Sequence, residues 1–345
     1  MSIRHFNTID LFCGCGGLSS GFEKAGYNIV LGVDIWEDAL KTYRLNHKNG
    51  TTLCGDLSKI SPEALKDAIN GKEVDVIIGG PPCQGFSVAG KRVIEDERNE
   101  LYKAFVRMVD YFRPKAFVME NVPNIISMGG GIIKDLIIKS FLDIGYNVTY
   151  KVITASDYGV PQNRRRAIFI GMLESKFEFS PVAYTKIVTC EEALSDLPEY
   201  SVADNTAYTC PPLSKYQELV RNNSSGIYNH LVTEHNAETR RIISMVPDGG
   251  NYKNLPENLQ QTRKVHIAWT RLNSQKPSIT IDTGHRHHFH YKWDRVPTVR
   301  ESARLQSFQD DFVFLGSKTS QYKQLGNAVP PIMAQAIAEE LKKQL

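Results

Sequence analysis

A single cysteine follows two glycines and two prolines in the segment Gly79-Gly80-Pro81-Pro82-Cys83. The apolar run at residues 74–78 predicts a buried strand that ends at these glycines. The prolines stiffen the backbone and would hold the thiol of Cys83 at the carboxyl end of that strand, where open α/β sheets bind their ligands. Such a thiol is suited to nucleophilic attack, and an ordinary free cysteine in a turn is the alternative.

A second sequence pattern is typical of a nucleoside-binding site. The predicted first strand, residues 6–12, runs into the turn Cys13-Gly14-Cys15-Gly16-Gly17, and the second strand of this β-α-β unit ends at Asp34. Glycines let the backbone approach a ligand, and the carboxylate accepts hydrogen bonds from ribose hydroxyls. The turn lacks the G-x-G-x-x-G spacing that seats a pyrophosphate, which favours an adenosyl ligand without a diphosphate. A tight connection without a ligand is the alternative.

Other charged side chains also follow predicted strands. Asp56 ends a short strand and suits an adenine amino group or the cap of a helix near Ser61. Glu120 follows the apolar strand at residues 116–119. The triplet Arg164-Arg165-Arg166 runs directly into another apolar strand, so some guanidinium must lie near buried groups, where it needs an anionic partner.

A sheet is needed to position these residues. Strands and helices alternate from residue 6 to about residue 171, which predicts an α/β fold with a doubly wound, mostly parallel sheet. Residues 181–297 have short, irregular elements and predict a second, smaller domain. We expect a catalytic domain at residues 1–180 and 325–345, and a second domain with a hinge at residues 181–324.

Composition narrows the class of protein. The chain has 345 residues, of which 41% are hydrophobic and 23% charged, as in soluble globular proteins. No apolar run approaches the roughly 20 residues that span a bilayer, and the first residues do not resemble a signal peptide. Six scattered cysteines in a chain of this length indicate a reducing compartment rather than a disulfide framework. Cys13 and Cys15 have no second close pair, so we expect no metal.

Charge is unevenly distributed along the second domain. Residues 181–238 hold 3 Lys/Arg against 8 Asp/Glu, whereas residues 239–297 hold 10 against 4, together with five of the nine histidines. A basic segment of this kind is a candidate contact surface for a polyanion, and a solvated mixed surface is the alternative.

Six motifs occur in a fixed order across nearly the whole chain. They are DLFCGCGG at residues 10–17, GPPCQGFS at 80–87, ENV at 120–122, QNRRR at 162–166, RESARLQSF at 300–308 and QLGNAVP at 324–330. Together they make the sequence resemble the cytosine-5 DNA methyltransferases of bacterial restriction–modification systems. The resemblance implies a methyltransferase fold that binds S-adenosylmethionine, with the second domain recognising the target sequence.

The same resemblance implies a mechanism. The thiolate of Cys83 would add to carbon 6 of cytosine, which lets carbon 5 attack the methyl group of S-adenosylmethionine. Glu120 would protonate or hydrogen-bond ring nitrogen 3, Arg166 would hold the carbonyl oxygen of the base, and Arg164 would support the site. Because none of these groups can reach carbon 6 inside a duplex, the base would be flipped out.

The implied S-adenosylmethionine site draws on several strand ends. Asp34 would bind the ribose, Asp56 the adenine amine, and Asn327 would lie near the methionine end. The full set of expected residues is Phe12, Gly14, Gly16, Gly17, Asp34, Ile35, Asp56, Leu57, Pro82, Leu101, Asn327 and Ala328.

Contacts to DNA are expected from two places. A segment at residues 84–100 would close over the flipped base, and Gln84, Ser87 and Arg98 in it would contact the DNA. In the second domain the expected readers of the major groove are Arg263, Lys264, Arg271, Arg286 and His288. Arginine pairs most often with guanine, which suggests a target that contains G·C pairs. A metal site and an ordinary polar surface are the alternatives for the histidine cluster.

The sequence therefore predicts a DNA cytosine-5 methyltransferase of the bacterial cytoplasm, acting as a monomer on double-stranded DNA. S-adenosylhomocysteine would be the second product, and a paired restriction endonuclease is an expected functional partner. A tRNA cytosine-5 methyltransferase and a catalytically inactive DNA-binding relative are the alternatives. The recognition sequence does not follow from the residues.

Overall fold

A computed structural model of the protein describes residues 5–82, 100–181, 186–260, 269–283 and 288–345. The chain divides into two compact units. Unit 1 comprises Met1–Thr154, Arg165–Ala183 and Met333–Leu345, and unit 2 comprises Ala155–Arg164 and Tyr184–Ile332. Compared with the expected domain boundaries, residues 155–164 and 325–332 group with unit 2 rather than unit 1.

Unit 1 is built on one sheet of seven strands. The strands are β1 (Asn7–Leu11), β2 (Asn28–Asp34), β3 (Thr51–Cys54), β4 (Val76–Gly79), β5 (Ala116–Asn121), β6 (Asn147–Thr154) and β7 (Arg165–Met172). Their order is β3-β2-β1-β4-β5-β7-β6, and all neighbours are parallel except the two pairs that contain β7. The predicted mostly parallel sheet is confirmed. The strand order reverses between β1 and β4, and open α/β sheets bind ligands at such a point.

Helices connect these strands and cover the sheet. They are α1 (Gly17–Lys24), α2 (Glu37–Asn46), α3 (Pro62–Ala68), α4 (Glu100–Phe112) and α5 (Ile132–Asp143). Strand residues such as Ile9, Ile77 and Phe117 are fully buried, as expected for a sheet covered on both faces. In α4 the buried residues Phe105 and Met108 are three apart, so one face of this helix lies on the core.

The register of the sheet aligns the ends of its central strands. Leu11 of β1 pairs with Val33 of β2 and with Gly79 of β4, and Gly79 pairs with Met119 of β5. The residues that follow this row therefore leave the sheet at one edge. Strand β7 runs in the opposite direction and brings its first residues to the same edge, where Asn121 pairs with Ala167.

Unit 2 has short elements, as the sequence predicts for this region. They are α6 (Cys190–Leu194), α7 (Lys215–Arg221), α8 (Ala237–Ser244), α9 (Glu257–Gln260), β8 (Thr270–Arg271), β9 (His288–Phe289), α10 (Val299–Leu305) and α11 (Lys318–Asn327). A last helix, α12 (Pro331–Lys342), begins at the end of unit 2 and continues in unit 1. No helix in the described part of the chain has the length and hydrophobicity that a membrane span requires.

Buried ion pairs hold α10 inside unit 2. Glu301 is fully buried and accepts two bonds of 2.8 Å from the Arg295 guanidinium. Arg304 is also fully buried and is bonded to Asp196 and Asp310. Removing one member of such a pair leaves a buried charge unpaired, which is strongly destabilising. The charged residues of the RESARLQSF motif therefore act as scaffold.

Candidate active site

A carboxylate and a guanidinium meet at the edge where the central strands end. Oε1 of Glu120, on β5, lies 2.5 Å from Nε of Arg166, on β7, and each side chain is 12% exposed. A second nitrogen of Arg166, Nη1, donates to the carbonyl oxygen of Arg165 at 2.7 Å. The partly exposed pair can present both an acid and a fixed cation to a ligand. Sequence reasoning placed both residues in the site.

The turn after β4 is packed against this pair. A Cβ atom on Gly79 would lie 2.1 Å from the Leu11 carbonyl oxygen, so the packing requires a glycine there. A Cβ atom on Gly80 would lie 2.9 Å from Oε2 of Glu120, a side-chain end that would have to shift. Asn121 anchors the next residue, because its Nδ2 donates to the Pro81 carbonyl oxygen at 3.0 Å. The sequence analysis gave Asn121 no role, although it stands in the ENV motif.

Several predicted residues lie outside the described part of the chain. Pro82 is exposed and is the last residue described before this gap. The residues of the gap that sequence reasoning assigned to catalysis, DNA contact or a closing segment are Cys83, Gln84, Ser87, Arg98 and the remainder of residues 84–99. In unit 2, Arg263, Lys264 and Arg286 also lie outside the described residues.

The glycine turn after β1 is a tight backbone cradle. Phe12, Gly14 and Gly16 all have positive φ, of 62°, 55° and 96°. At a positive φ the backbone of Phe12 is strained by its side chain, whereas glycine adopts such a φ without strain. The amide of Cys13 donates to the Val33 carbonyl at 3.0 Å, and α1 begins at Gly17, which is buried. The turn therefore presents backbone rather than side chains toward the edge of the sheet.

Asp34 is fixed by this cradle. Its Oδ2 accepts the amide of Gly14 at 2.8 Å, and its Oδ1 accepts the amide of Trp36 at 2.8 Å. Burial raises the pKa of Asp34, and the amides of Trp36 and Gly14 lower it in part. Each carboxylate oxygen retains a lone pair for a further donor. The next residue, Ile35, is 69% exposed and offers an apolar surface beside the carboxylate.

Asp56 lies in the loop after β3. The strand ends at Cys54, two residues earlier than the sequence indicated, and the next helix is capped by Ser61, whose hydroxyl accepts the amide of Ala64. Asp56 is therefore not the helix cap. The hydroxyl and amide of Ser58 both donate to it and lower its pKa. The next residue, Leu57, is buried.

The described residues of unit 1 fit an adenosyl group. Asp34 ends β2, and Asp56 follows the neighbouring parallel strand β3, so the two carboxylates could accept from a ribose and from an amine. Leu101, near the start of α4, is half-buried. The turn lacks the G-x-G-x-x-G spacing that typically seats a diphosphate, and an adenosyl ligand without one, such as S-adenosylmethionine, suits these residues better.

A buried acid beneath the cradle was not assigned a role from the sequence. Asp10 is 1% exposed, and its Oδ2 accepts the hydroxyl of Ser19 at 2.6 Å. The Ser19 hydroxyl also lies 2.8 Å from that of Tyr43. Burial raises the pKa of Asp10 to about 7. The sequence placed Asp10 in the first motif, but burial of its carboxyl could not be read from the pattern.

Arg164 differs from Arg166 and belongs to unit 2. It is 1% exposed, and its guanidinium donates to the carbonyl oxygens of Ile281 at 3.1 Å and of Gly326 at 2.7 Å. Sequence reasoning gave Arg164 a supporting catalytic role. These bonds to backbone carbonyls are those of a structural support, and the role of Arg164 in supporting the catalytic site stays a prediction.

The last predicted cofactor residues also belong to unit 2. Asn327 is exposed at the end of α11. Ala328 is buried, and its carbonyl oxygen accepts Nε2 of Gln306 at 2.7 Å. Their proposed place near the methionine end of the ligand stays a prediction.

Arg271 corrects the expectation for DNA readers. It is 4% exposed, and its guanidinium donates to the carbonyl oxygens of Val246, His290, Trp293 and Ile243 and to Asp294. No donor is left for a base, so Arg271 is structural and the prediction that it reads DNA is wrong.

The histidine cluster is only partly accessible. His288 is half-buried on β9, whereas His290 is 2% exposed. Burial lowers the pKa of His290 to about 4, so its imidazole is neutral near pH 7. Within the described ranges, no group of three or more His, Cys, Asp or Glu is placed to hold a metal ion.

Comparison with known proteins gives consistent matches along the chain. The profile of the family described as C-5 cytosine-specific DNA methylase matches residues 6–343. The Type II methyltransferase M1.HphI of Haemophilus parahaemolyticus is 40% identical over 339 residues, which cover 97% of this chain and 86% of that protein. The Type II methyltransferase M.DdeI of Desulfomicrobium norvegicum is 38% identical over 369 residues and covers 97% of this chain and 88% of that protein.

A solved structure extends the likeness to the fold. A candidate DNA modification methyltransferase encoded within an E. coli prophage has a TM-score of 0.83 and 29% identity, covering 98% of this chain and 99% of that one. The Dnmt2 methyltransferase of S. pombe has a TM-score of 0.62 at 18% identity, a likeness of fold alone.

Proposed function

The chain belongs to the C-5 cytosine-specific DNA methylase family, and from this membership we propose that it methylates one cytosine within a specific short duplex sequence after flipping that base out of the helix. Its similarity to Type II methyltransferases supports a Type II DNA cytosine-5 methyltransferase. Membership of the family implies that S-adenosylmethionine supplies the methyl group.

The proposed reaction begins at Cys83. Its thiolate forms a bond to carbon 6 of the flipped cytosine, and the displaced electron pair makes carbon 5 nucleophilic. Carbon 5 takes the methyl group as the bond from that group to the sulfonium breaks, which leaves S-adenosylhomocysteine. A base then removes the proton on carbon 5, the bond from carbon 6 to sulfur breaks, and the Cys83 thiolate is restored.

The ion pair of Glu120 and Arg166 is the observation that carries this proposal. Addition of the thiolate places negative charge on the ring, and a nearby acid and cation offset it. Glu120 would protonate or hydrogen-bond nitrogen 3, and Arg166 would hold the carbonyl oxygen. The two side chains are 2.5 Å apart. Glu120 also lies beside the turn that leads to Cys83, because a Cβ atom on Gly80 would be only 2.9 Å from its Oε2.

The methyl donor would be held by the cradle of unit 1. The backbone at Gly14, Gly16 and Gly17 approaches it, Asp34 accepts from the ribose, and Asp56 accepts from the adenine amine. Ile35, Leu57 and Leu101 would supply apolar contacts.

A trapping assay tests the covalent step. A duplex carrying 5-fluorocytosine should cross-link to the wild-type protein in the presence of S-adenosylmethionine, because fluorine cannot leave as a proton does. The variant Cys83→Ala should neither cross-link nor methylate. Methylation by that variant would overturn the role of the thiol, and equal methylation of a tRNA transcript run in parallel would overturn duplex DNA as the preferred substrate.

A fluorescence assay tests base flipping. The fluorescence of a 2-aminopurine beside the target base should increase on binding if the base is flipped.

The biological role is proposed from the relatives, which are named as Type II methyltransferases. Methylation of host DNA would block a restriction endonuclease of the same specificity, and the enzyme would act as a monomer in the bacterial cytoplasm, where that DNA lies. Bisulfite sequencing of DNA from cells that express the chain would give the recognised sequence. That DNA should then resist an endonuclease that cuts the same sequence, and cleavage would contradict the protective role.

A further inference from the structure

The carboxylate of Asp56 is held with one oxygen used and one available. Its Oδ1 accepts both the amide of Ser58, at 3.0 Å, and the hydroxyl of Ser58, at 2.7 Å. Its Oδ2 lies 3.6 Å from Nζ of Lys59, a side chain that is 82% exposed and can move aside. The turn around Ser58 therefore determines where Asp56 presents Oδ2.

This turn has limited support of its own. It lies between the end of β3 at Cys54 and the start of α3 at Pro62, and the amides of Lys59 and Ile60 both donate to the Asp56 carbonyl oxygen. Leu57 in this turn is buried in the core of unit 1, whereas Asp56 and Ser58 are partly exposed, and any conformational freedom that these two lose when a ligand binds weakens binding.

One arginine from another element holds this turn. Nη2 of Arg107, on α4, donates to the carbonyl oxygens of Leu57 at 2.9 Å, Ser58 at 3.3 Å and Ile60 at 3.0 Å, and Nη1 donates to that of Ser58 at 3.4 Å. The opposite face of α4 is buried in the core of unit 1. The guanidinium therefore fastens the loop to a helix that is itself fixed.

We propose that Arg107 is a positioning residue for adenine recognition, which holds the loop so that Asp56 meets the amino group of the adenine. The inference rests on the proposed function, because it requires Asp56 to be the contact of that amine. A planar guanidinium reaches several carbonyls at once, which a lysine ammonium cannot do, so Arg107→Lys should be only partly effective.

The readout must separate positioning from general stability. Adenine presents an amino group at carbon 6, whereas hypoxanthine presents a carbonyl there, which a carboxylate repels. The measured quantity is the ratio of the Kd values of S-inosylhomocysteine and S-adenosylhomocysteine, obtained by calorimetry on the full chain. Arg113→Ala is the matched control, because Arg113 follows α4 and its Nη1 also donates to a loop carbonyl, that of Ile144 at 2.5 Å.

We expect wild type to prefer the adenosyl ligand on the order of a hundredfold, because the carboxylate that accepts from the adenine amine would face the hypoxanthine carbonyl instead. Arg107→Ala should reduce that preference about tenfold, a change typical of one lost hydrogen bond to a charged group, and Arg107→Lys less. Ser58→Ala, which removes the hydroxyl bond to Asp56 and keeps the amide bond, should also reduce it. Arg113→Ala should leave it unchanged, whatever happens to its melting temperature.

Asp56→Asn distinguishes the adenine contact of Asp56 from the positioning role of Arg107. An amide can donate to hypoxanthine, so this variant should lose most of the preference. Suppose that Asp56→Asn loses the preference but the single variants Arg107→Ala and Ser58→Ala both keep the wild-type ratio. The inference about Arg107 is then overturned, while the role of Asp56 stands. If Asp56→Asn keeps the wild-type ratio, the adenine role of Asp56 is overturned and the inference about Arg107 with it.

Discussion

Gly80 and Glu120 are so close that a Cβ atom on the glycine would stand 2.9 Å from Oε2 of the carboxylate. At Gly79 the obstacle is instead the backbone, because a Cβ there would lie 2.1 Å from the Leu11 carbonyl oxygen. A side-chain end can move aside, whereas a strand inside a sheet cannot. The two neighbouring glycines therefore protect different properties of the enzyme.

Gly80→Ala should displace the Glu120 carboxylate and lower kcat about ten- to a hundredfold with little change in melting temperature. Gly79→Ala should lower the free energy of unfolding by about 1 to 3 kcal/mol because it overpacks the sheet. Single-turnover methylation and urea denaturation measure the two quantities. The reverse pattern, with Gly80→Ala the less stable variant, would contradict the packing described.

The contributions of the Glu120–Arg166 pair to stability and to catalysis should be separable by mutation. Glu120→Gln should lower kcat about 10²- to 10⁴-fold, because the amide cannot donate a proton as the acid does. It should also lower stability, because it leaves the Arg166 charge unpaired. Adding Arg166→Met should restore part of that stability without restoring activity, which a double-mutant cycle would detect. The matched control is Arg165→Ala, since Arg165 is exposed in the same triplet. A comparable loss of kcat in this control would argue against a specific role for Arg166.

Asp10 should make stability depend on pH in an unusual direction. Burial raises its pKa to about 7, and among the described residues no hydrogen bond reaches its Oδ1. Because the unfolded carboxyl loses its proton near pH 4, the unfolded state binds fewer protons between about pH 4 and 7, and this group lowers stability as pH rises through that window. Above about pH 7 the loss is complete.

Asp10→Asn removes this titration. Its stability relative to wild type should increase by about 2 kcal/mol between about pH 5.5 and pH 8 in urea denaturation. Asp143→Asn, at the exposed end of α5, serves as the control and should show no comparable trend. A constant difference between Asp10→Asn and wild type across this range would show that the carboxyl titrates as an exposed one does.

Arg271 should matter for stability and not for sequence reading. Arg271→Ala leaves the carbonyl oxygens of the buried residues Ile243, Val246 and His290 without their donor, so the free energy of unfolding should fall by about 3 kcal/mol or more. The spectrum of methylated sequences, measured by bisulfite sequencing below the melting temperature, should be unchanged. Relaxed preference at one position of the site is the signature of a lost base contact, and it would reverse this assignment.

The sequence predicted those parts of the site that depend on local pattern. Apolar runs give the strands, and a carboxylate in the last residues of a strand reaches the edge of the sheet, as for Asp34 and Glu120. The apolar run of β7 reads the same in either direction, so its antiparallel course was hidden. Charge type also says nothing of burial, which is why Arg271 was expected to read DNA; for Arg164, only the apolar strand after the arginine triplet indicated a guanidinium near buried groups.

The division of the chain has a consequence for its synthesis. Residues 333–345 belong to unit 1 but follow all of unit 2, and in them the Ala338 carbonyl oxygen accepts the hydroxyl of Tyr27 at 3.0 Å. The ribosome must therefore synthesise all of unit 2 before unit 1 can bury this helix. Contacts between residues so distant in sequence slow folding and prolong the exposure of apolar surface during synthesis.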